Sequence, residues 1–263
     1  MTSSSSDALR DRVAVVTGAS SGIGEAIALG LARGGARVIG AARRLDRLER
    51  LQARIEGEGG RAEVSELDVT DEQSCRRFVR DVIGRHGAAD VLVNDAGGAR
   101  GFEPVVDGDE RDWREMMEAN VLGLMRLTRL FLPAMIANKR GDIVQVSSIA
   151  ALQPYANGAA YCASKAAVEA FAQALRFELV DTNVRQLVIQ PGLVETEFSI
   201  ARFHGDEQRA QDVYRGVQAL NADDVADLVL FAITRPPHVC IQNMLVTPTA
   251  QASATVVARR PDR

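Results

Sequence analysis

Short runs rich in Val and Ile alternate along this chain with longer segments of helical character. The runs lie at 13–17, 37–40, 62–67, 91–94, 142–147, 186–190 and 244–247, and the helical segments at 22–34, 45–57, 72–86, 112–137, 160–181 and 222–234. The runs are apolar almost throughout, as strands covered on both faces must be. Repeated β-α-β-α units with connections of that length wind right-handed crossovers and a parallel sheet with helices on both sides. The predicted fold is α/β and doubly wound, with seven parallel strands. No Pro/Ser-rich linker or internal repeat divides the chain, so residues 11–263 read as one domain after a tail over 1–10 that is expected to be disordered. Residues 193–220 break the rhythm with scattered charges and with Phe198, Phe203, His204 and Tyr214. An insertion after the sixth strand lies where open α/β sheets bind ligands, which makes it a candidate substrate loop.

Composition narrows the partners. Lys and Arg number 31 against 35 Asp and Glu, a net charge of −4, whereas a protein gripping a nucleic-acid backbone normally carries a basic excess. No nucleic-acid partner is expected. Cys75, Cys162 and Cys240 show neither a CxxC pair nor metal-like spacing with His86, His204 and His238, so a reduced, cytoplasmic protein without a metal is expected. The uncharged stretch 143–164 is long enough to cross a bilayer, but Gln145, Gln153, Pro154 and Asn157 do not suit lipid. It reads as interior or active-site material, with no membrane partner.

The first strand runs directly into Thr17-Gly18-Ala19-Ser20-Ser21-Gly22-Ile23-Gly24. Glycines let the backbone turn tightly and approach a pyrophosphate, while the following helix points free N–H groups at the anion. The spacing G-x-x-x-G-x-G differs from G-x-G-x-x-G, and no Lys-Ser/Thr follows as a triphosphate loop requires. A bare strand-to-helix turn can look similar. The flanking strand, the helix and the place near the start of the chain favour phosphate binding.

This motif resembles the cofactor loop of the short-chain dehydrogenase/reductases, and the resemblance runs over residues 10–250. It implies a Rossmann fold and a nicotinamide dinucleotide held by Gly18, Ser20, Ser21, Gly22, Ile23 and Gly24. Asp68 and Val69 resemble the family's adenine-contacting pair. Asn94-Asp95-Ala96-Gly97 is similar to its Asn-Asn-Ala-Gly turn, so Asn94, Ala96 and Gly97 are expected at the cofactor. Asp95 replaces the second Asn, removing an amide donor and adding a charge. Pro191, Gly192, Val194 and Thr196 match the segment around the nicotinamide. The end of the second strand reads Ala41-Ala42-Arg43-Arg44, with Ala42 where NAD-preferring relatives carry Asp. A carboxylate there would bind the ribose 2′-hydroxyl, whereas a 2′-phosphate needs a guanidinium. Arg43 and Arg44 thus favour NADP(H) over NAD(H), although Arg43, Arg44, Arg47 and Arg50 could also simply solvate one face of a surface helix.

Tyr161 and Lys165 stand four apart in a helical segment and so share a face. A phenol with an ordinary pKa of about 10 is a poor reversible acid at neutral pH, and a nearby ammonium is expected to lower it. Ser148 lies 13 positions before Tyr161, as the family's catalytic Ser does, and can hydrogen-bond a substrate oxygen. Asn120 matches the Asn that relatives use to hold a water linking Lys165 to solvent; a mid-helix Asn is otherwise unfavourable. The resemblance thus implies hydride transfer between NADP(H) and a small carbonyl or alcohol, with Asn120, Ser148, Tyr161 and Lys165 as the catalytic set. Alternatives are a 3-oxoacyl reductase of fatty-acid type and a non-catalytic NADP-sensing protein.

The C-terminal run from Asn243 lacks the Gly-Gly of the ketoacyl reductases and is similar to the branch holding serine or 3-hydroxy-acid dehydrogenases and clavulanate-type aldehyde reductases. A hydroxy acid would want a cation, which Arg202, Arg209 or Arg215 could supply. Equally, those arginines could be solvated, with Phe198, Phe203 and Tyr214 wrapping a bulky apolar ketone. Cys162 reads as a packing residue, and Trp113, Met116 and Met117 as core or interface. The long segments 112–137 and 160–181 resemble helices that pair between subunits in this family, so a homotetramer or dimer is expected.

Overall fold

The computed structural model describes residues 9–260. Seven strands, β1 (Val13–Thr17), β2 (Arg37–Ala42), β3 (Arg61–Glu66), β4 (Val91–Asn94), β5 (Gly141–Val146), β6 (Val184–Pro191) and β7 (Asn243–Val246), form one sheet in the order 3-2-1-4-5-6-7. All neighbouring pairs are parallel. Strand order reverses between β1 and β4, and the crevice at their carboxyl ends is where such sheets take ligands.

The connecting helices cover both faces. On one side α1 (Gly22–Arg33), α2 (Leu45–Gly57) and α9 (Ala222–Ile233) bury Ile27, Leu31, Leu48, Leu51 and Val229 against Val16, Val38, Val144 and Ile189. On the other, α3 (Glu72–His86), α5 (Leu124–Ala137) and α6 (Ala159–Glu178) bury Phe78, Phe131 and Leu175 against Val15, Ile39, Leu92 and Ile143. Central strands filled from both faces explain their unbroken apolar runs. At the edge, β3 is only partly covered and carries Arg61, Glu63 and Glu66.

Three departures from the sequence reading have physical causes. Packing begins at Leu9, inside the expected tail: Leu9 is buried in the first core layer and its N–H donates to the Gly34 carbonyl at 2.8 Å. Residues 1–8 of that tail lie outside the described residues. The helix expected over 112–137 is broken into α4 (Glu110–Met117) and α5 by a π-helical turn, Glu118–Gly123, which carries Asn120. Gly123 there lies so close to Val69 that an added Cβ would meet its side chain at 2.8 Å. This composite 110–137 stretch is long and apolar enough to span a bilayer, yet it packs against α3, β4 and β5 in the second core layer. Finally, the 193–220 insertion contains two short helices, α7 (Phe198–Arg202) and α8 (Glu207–Asp212). Its neck is tied by a bridge between Val194 and Leu220.

Candidate active site

The glycine loop is built on β1 and clamped to β4. Thr17 Oγ1 donates to the Val93 carbonyl at 3.2 Å and accepts from the N–H groups of Asp95 and Ala96, each at 3.1 Å. Gly18 has φ +71°, and a Cβ there would meet Ala96 N at 2.9 Å; one at Gly24 would meet the Gly18 carbonyl at 2.6 Å. Only glycine fits either position. Ser21, the N-cap of α1, makes no side-chain cap hydrogen bond, so the helix offers its first N–H groups outward. Such a cradle fits a pyrophosphate.

At the end of β2, Arg44 donates to Ser20 Oγ at 2.9 and 3.1 Å and to Ser21 Oγ at 2.6 Å. It also pairs at 3.1 Å with Glu197, which binds Arg47 at 2.6 Å. A carboxylate therefore rests among arginines where the sequence led us to expect a 2′-phosphate. Arg43 is exposed beside it. Glu197 was missed in the sequence because the insertion alone brings it beside Arg44 and Arg47. Asp68 accepts from Thr70 N and Oγ1, and Val69 packs under the π-helical turn. Asn94 is turned inward: its Nδ2 donates to Thr128 Oγ1 at 3.0 Å and Gln145 Oε1 at 2.9 Å. Pro191 ends β6. The Gln251 side chain covers Gly192 and accepts from Leu193 N at 2.8 Å, a contact the sequence did not announce. The Val194 carbonyl accepts from Tyr214 Oη, and Thr196 leans on Gly22.

Tyr161, in the first turn of α6, and Ser148, just after β5, come together: the Ser148 hydroxyl is near enough to pull the phenol's pKa down, and it accepts from Ala150 N at 3.1 Å. Lys165, one turn further along α6, is buried, and its Nζ donates to the Val146 carbonyl at 2.8 Å. Asn120 Oδ1 accepts from Gly98 N at 2.8 Å, while its Nδ2 donates to the Gly98 carbonyl at 2.9 Å and to Ser164 Oγ at 3.0 Å. Ser164 in turn donates to the Tyr161 carbonyl at 2.8 Å, so a serine not singled out in the sequence joins the π-helical turn to α6. The neighbouring Ser147 is buried, and its hydroxyl has no hydrogen-bond partner.

The electrostatics differ from expectation in one respect. Lys165 Nζ lies 6.0 Å from the centre of the Tyr161 ring, and the phenol's pKa is raised, not lowered. Burial pushes the phenol up, aided by Tyr155, while Ser148 and then Arg202 pull it back. In this enclosed setting desolvation outweighs the ammonium. Burial also lowers Lys165 to about 8, against the opposing pull of Asp95 and Glu169. Burial raises the Asp95 carboxyl to about 7, against the opposing pull of Lys165 and then of the Gly24 backbone N–H.

Phe198 meets the Tyr161 ring at 5.5 Å. A cleft beside Tyr161 is lined by Trp113, Met116, Asn157 and Ala160. A larger hollow, about 550 Å³, lies at the amino ends of the strands among Arg10, Arg33 and Arg61, far from this chemistry. Cys162 is buried next to Tyr161, in the cluster with Met116 and Ala150.

Comparison with known proteins identifies the family. The family model for short chain dehydrogenase matches residues 12–207. The chain is 40% identical over 257 residues to the NADP-dependent 3-hydroxy acid dehydrogenase of Schizosaccharomyces pombe, covering 96% of this chain and 98% of that one. It is 35% identical over 240 residues to the serine 3-dehydrogenase of Rhizobium radiobacter, covering 91% and 95%. The closed form of serine dehydrogenase complexed with NADP+ superposes with a TM-score of 0.89 at 36% identity, covering 94% of this chain and 99% of that one. The chain belongs to the short-chain dehydrogenase family.

Proposed function

We propose that this NADP-dependent oxidoreductase interconverts a small 3-hydroxy acid and its 3-oxo acid, with Tyr161 as the general acid and base. The observation that carries the reading is the convergence of Ser148 and Tyr161 at the carboxyl end of β5, with Lys165 and Asn120 anchored behind them. The names of the relatives support the substrate class. NADPH, held by the loop from Gly18 to Gly24 and by Arg44, would supply the hydride. Ser148 and Tyr161 hold the carbonyl oxygen, and as charge grows on it the phenol gives up its proton. The buried phenol holds its proton at neutral pH, so the proton to be given is in place before the oxygen gains charge. Lys165, with Asn120, returns a proton to Tyr161 through water.

The test is Tyr161→Phe, assayed by NADPH absorbance against a panel of 3-hydroxy acids, 3-oxo acids and neutral ketones. Turnover should fall by about 10²–10⁴-fold while NADPH still binds, as followed by its fluorescence. Undiminished turnover removes Tyr161 from the acid role. A wild type that binds NADPH but is inert across the whole panel favours a sensing protein.

A further inference from the structure

Arg202 is a buried cation without a counter-ion. It closes α7 with 9% of its surface exposed, and no carboxylate lies within ion-pair distance among the described residues. Its surroundings hold it in place. Nη1 donates to Tyr155 Oη at 2.9 Å, Nε reaches the Gly101 carbonyl at 3.4 Å, and its own carbonyl accepts from Gly101 N at 2.9 Å. Cζ stands 4.6 Å from the Phe102 ring centre, 5.4 Å from Tyr155 and 5.6 Å from Tyr161. The remaining amino group, Nη2, is sealed from solvent and has no hydrogen-bond partner. Guanidinium does not shed its proton, so this site keeps a desolvated positive charge and a free donor beside the reacting phenol. The other two candidate arginines are already engaged: Arg209 stacks on Phe203 at 4.5 Å, and Arg215 pairs with Asp212 at the surface.

We infer that Arg202 binds the substrate carboxylate and makes the enzyme select small 3-hydroxy acids over neutral alcohols. A molecule whose C3 oxygen rests on Tyr161 and Ser148 has its carboxylate two carbons away, within reach of a guanidinium beside the same ring. The carboxylate supplies the missing counter-ion and an acceptor for Nη2. Phe102, Tyr155 and Phe198 wall this corner, and they exclude the water that would weaken the pair. This inference rests on the hydroxy-acid reading above and names the residue responsible for it.

The experiment compares kcat/KM for 3-hydroxypropanoate and for its uncharged methyl ester in the wild type, Arg202→Gln and Arg202→Lys. The acid-over-ester ratio should fall by at least about 30-fold in Arg202→Gln, through KM, and recover in part in Arg202→Lys. An unchanged ratio in Arg202→Gln overturns the assignment. Should Arg202→Gln not fold, inhibition of the wild type decides: propanoate competing with substrate where propanamide does not supports the pair, and equal inhibition by both overturns it. A wild type that reduces neutral ketones and ignores both probes sinks the hydroxy-acid reading itself, a result distinct from an unchanged ratio.

Discussion

Replacing Arg44 has an outcome that follows from its contacts. Its guanidinium is fixed by Ser20 and Ser21 and shares Glu197 with Arg47. When a 2′-phosphate reaches Arg44, the Glu197 carboxylate has to give way to it. A charge-assisted contact to phosphate contributes about 1.5–3 kcal/mol. The pair that yields is half-exposed, so it is worth at most about 1 kcal/mol. The difference, centred on about 1–2 kcal/mol, corresponds to roughly a 5–30-fold rise in KM for NADPH in Arg44→Ala. NADH has no 2′-phosphate, and its KM should stay within about twofold of wild type. Glu197→Gln removes the competing carboxylate and should improve NADPH binding by up to about fivefold. The assay is kcat/KM for both cofactors on one carbonyl substrate. Equal losses with NADPH and NADH in Arg44→Ala would falsify the phosphate contact, and weaker NADPH binding in Glu197→Gln would refute the competition.

Three further outcomes can be checked. Asp95, raised to about 7, binds its proton more tightly folded than unfolded, so its contribution is intact at acid pH and is lost as pH rises through 7. Lys165, lowered to about 8, adds a rise in stability only above that pH. Asp95→Asn removes the first effect and, by taking away the charge that holds Lys165 up, lowers Lys165 further; both changes favour the variant more as pH rises, so its advantage in thermal melts should grow between pH 5 and 7.5 to about 1–3 kcal/mol, and a pH-independent difference contradicts this account. Ser164→Ala leaves an Asn120 N–H without its partner in a buried site and should cost about 1–3 kcal/mol in denaturant melts, with kcat lowered more than KM is raised; an unchanged melt argues against the bridge. Met117, Leu122 and Ile136 on the broken helix, with Phe177 on α6, expose apolar surface, so light scattering should give a dimer or tetramer mass, and a single-chain mass refutes the pairing.

The strands were readable because a parallel sheet buried on both faces leaves little room for polar residues, as the runs at Val13–Thr17 and Val91–Asn94 illustrate. The order of Ser148, Tyr161 and Lys165 was readable for a related reason: one follows a strand end, and the other two lie one turn apart on a single helix. The π-helical turn was less so, since its only local signs were a polar Asn120 and a Gly123 whose closeness to Val69 depends on the fold. Three arginines in the insertion looked alike along the chain. Arg202 separates from them only through Gly101, Phe102 and Tyr155, residues 47 to 101 positions away. Likewise, the upward shift of Tyr161 is a property of enclosure, which spacing cannot convey.

Helix α7 is five residues long, about 7.5 Å from end to end. Glu197 precedes it beside Arg44 and Arg47, and Arg202 finishes it beside Tyr155 and Tyr161, so a single turn and a half of helix joins the two clusters. Editing Glu197 to retune the cofactor site therefore alters the first turn of the same short helix that carries Arg202. Cofactor preference and acid preference should be inherited together, and libraries that vary one without screening the other will misjudge their winners.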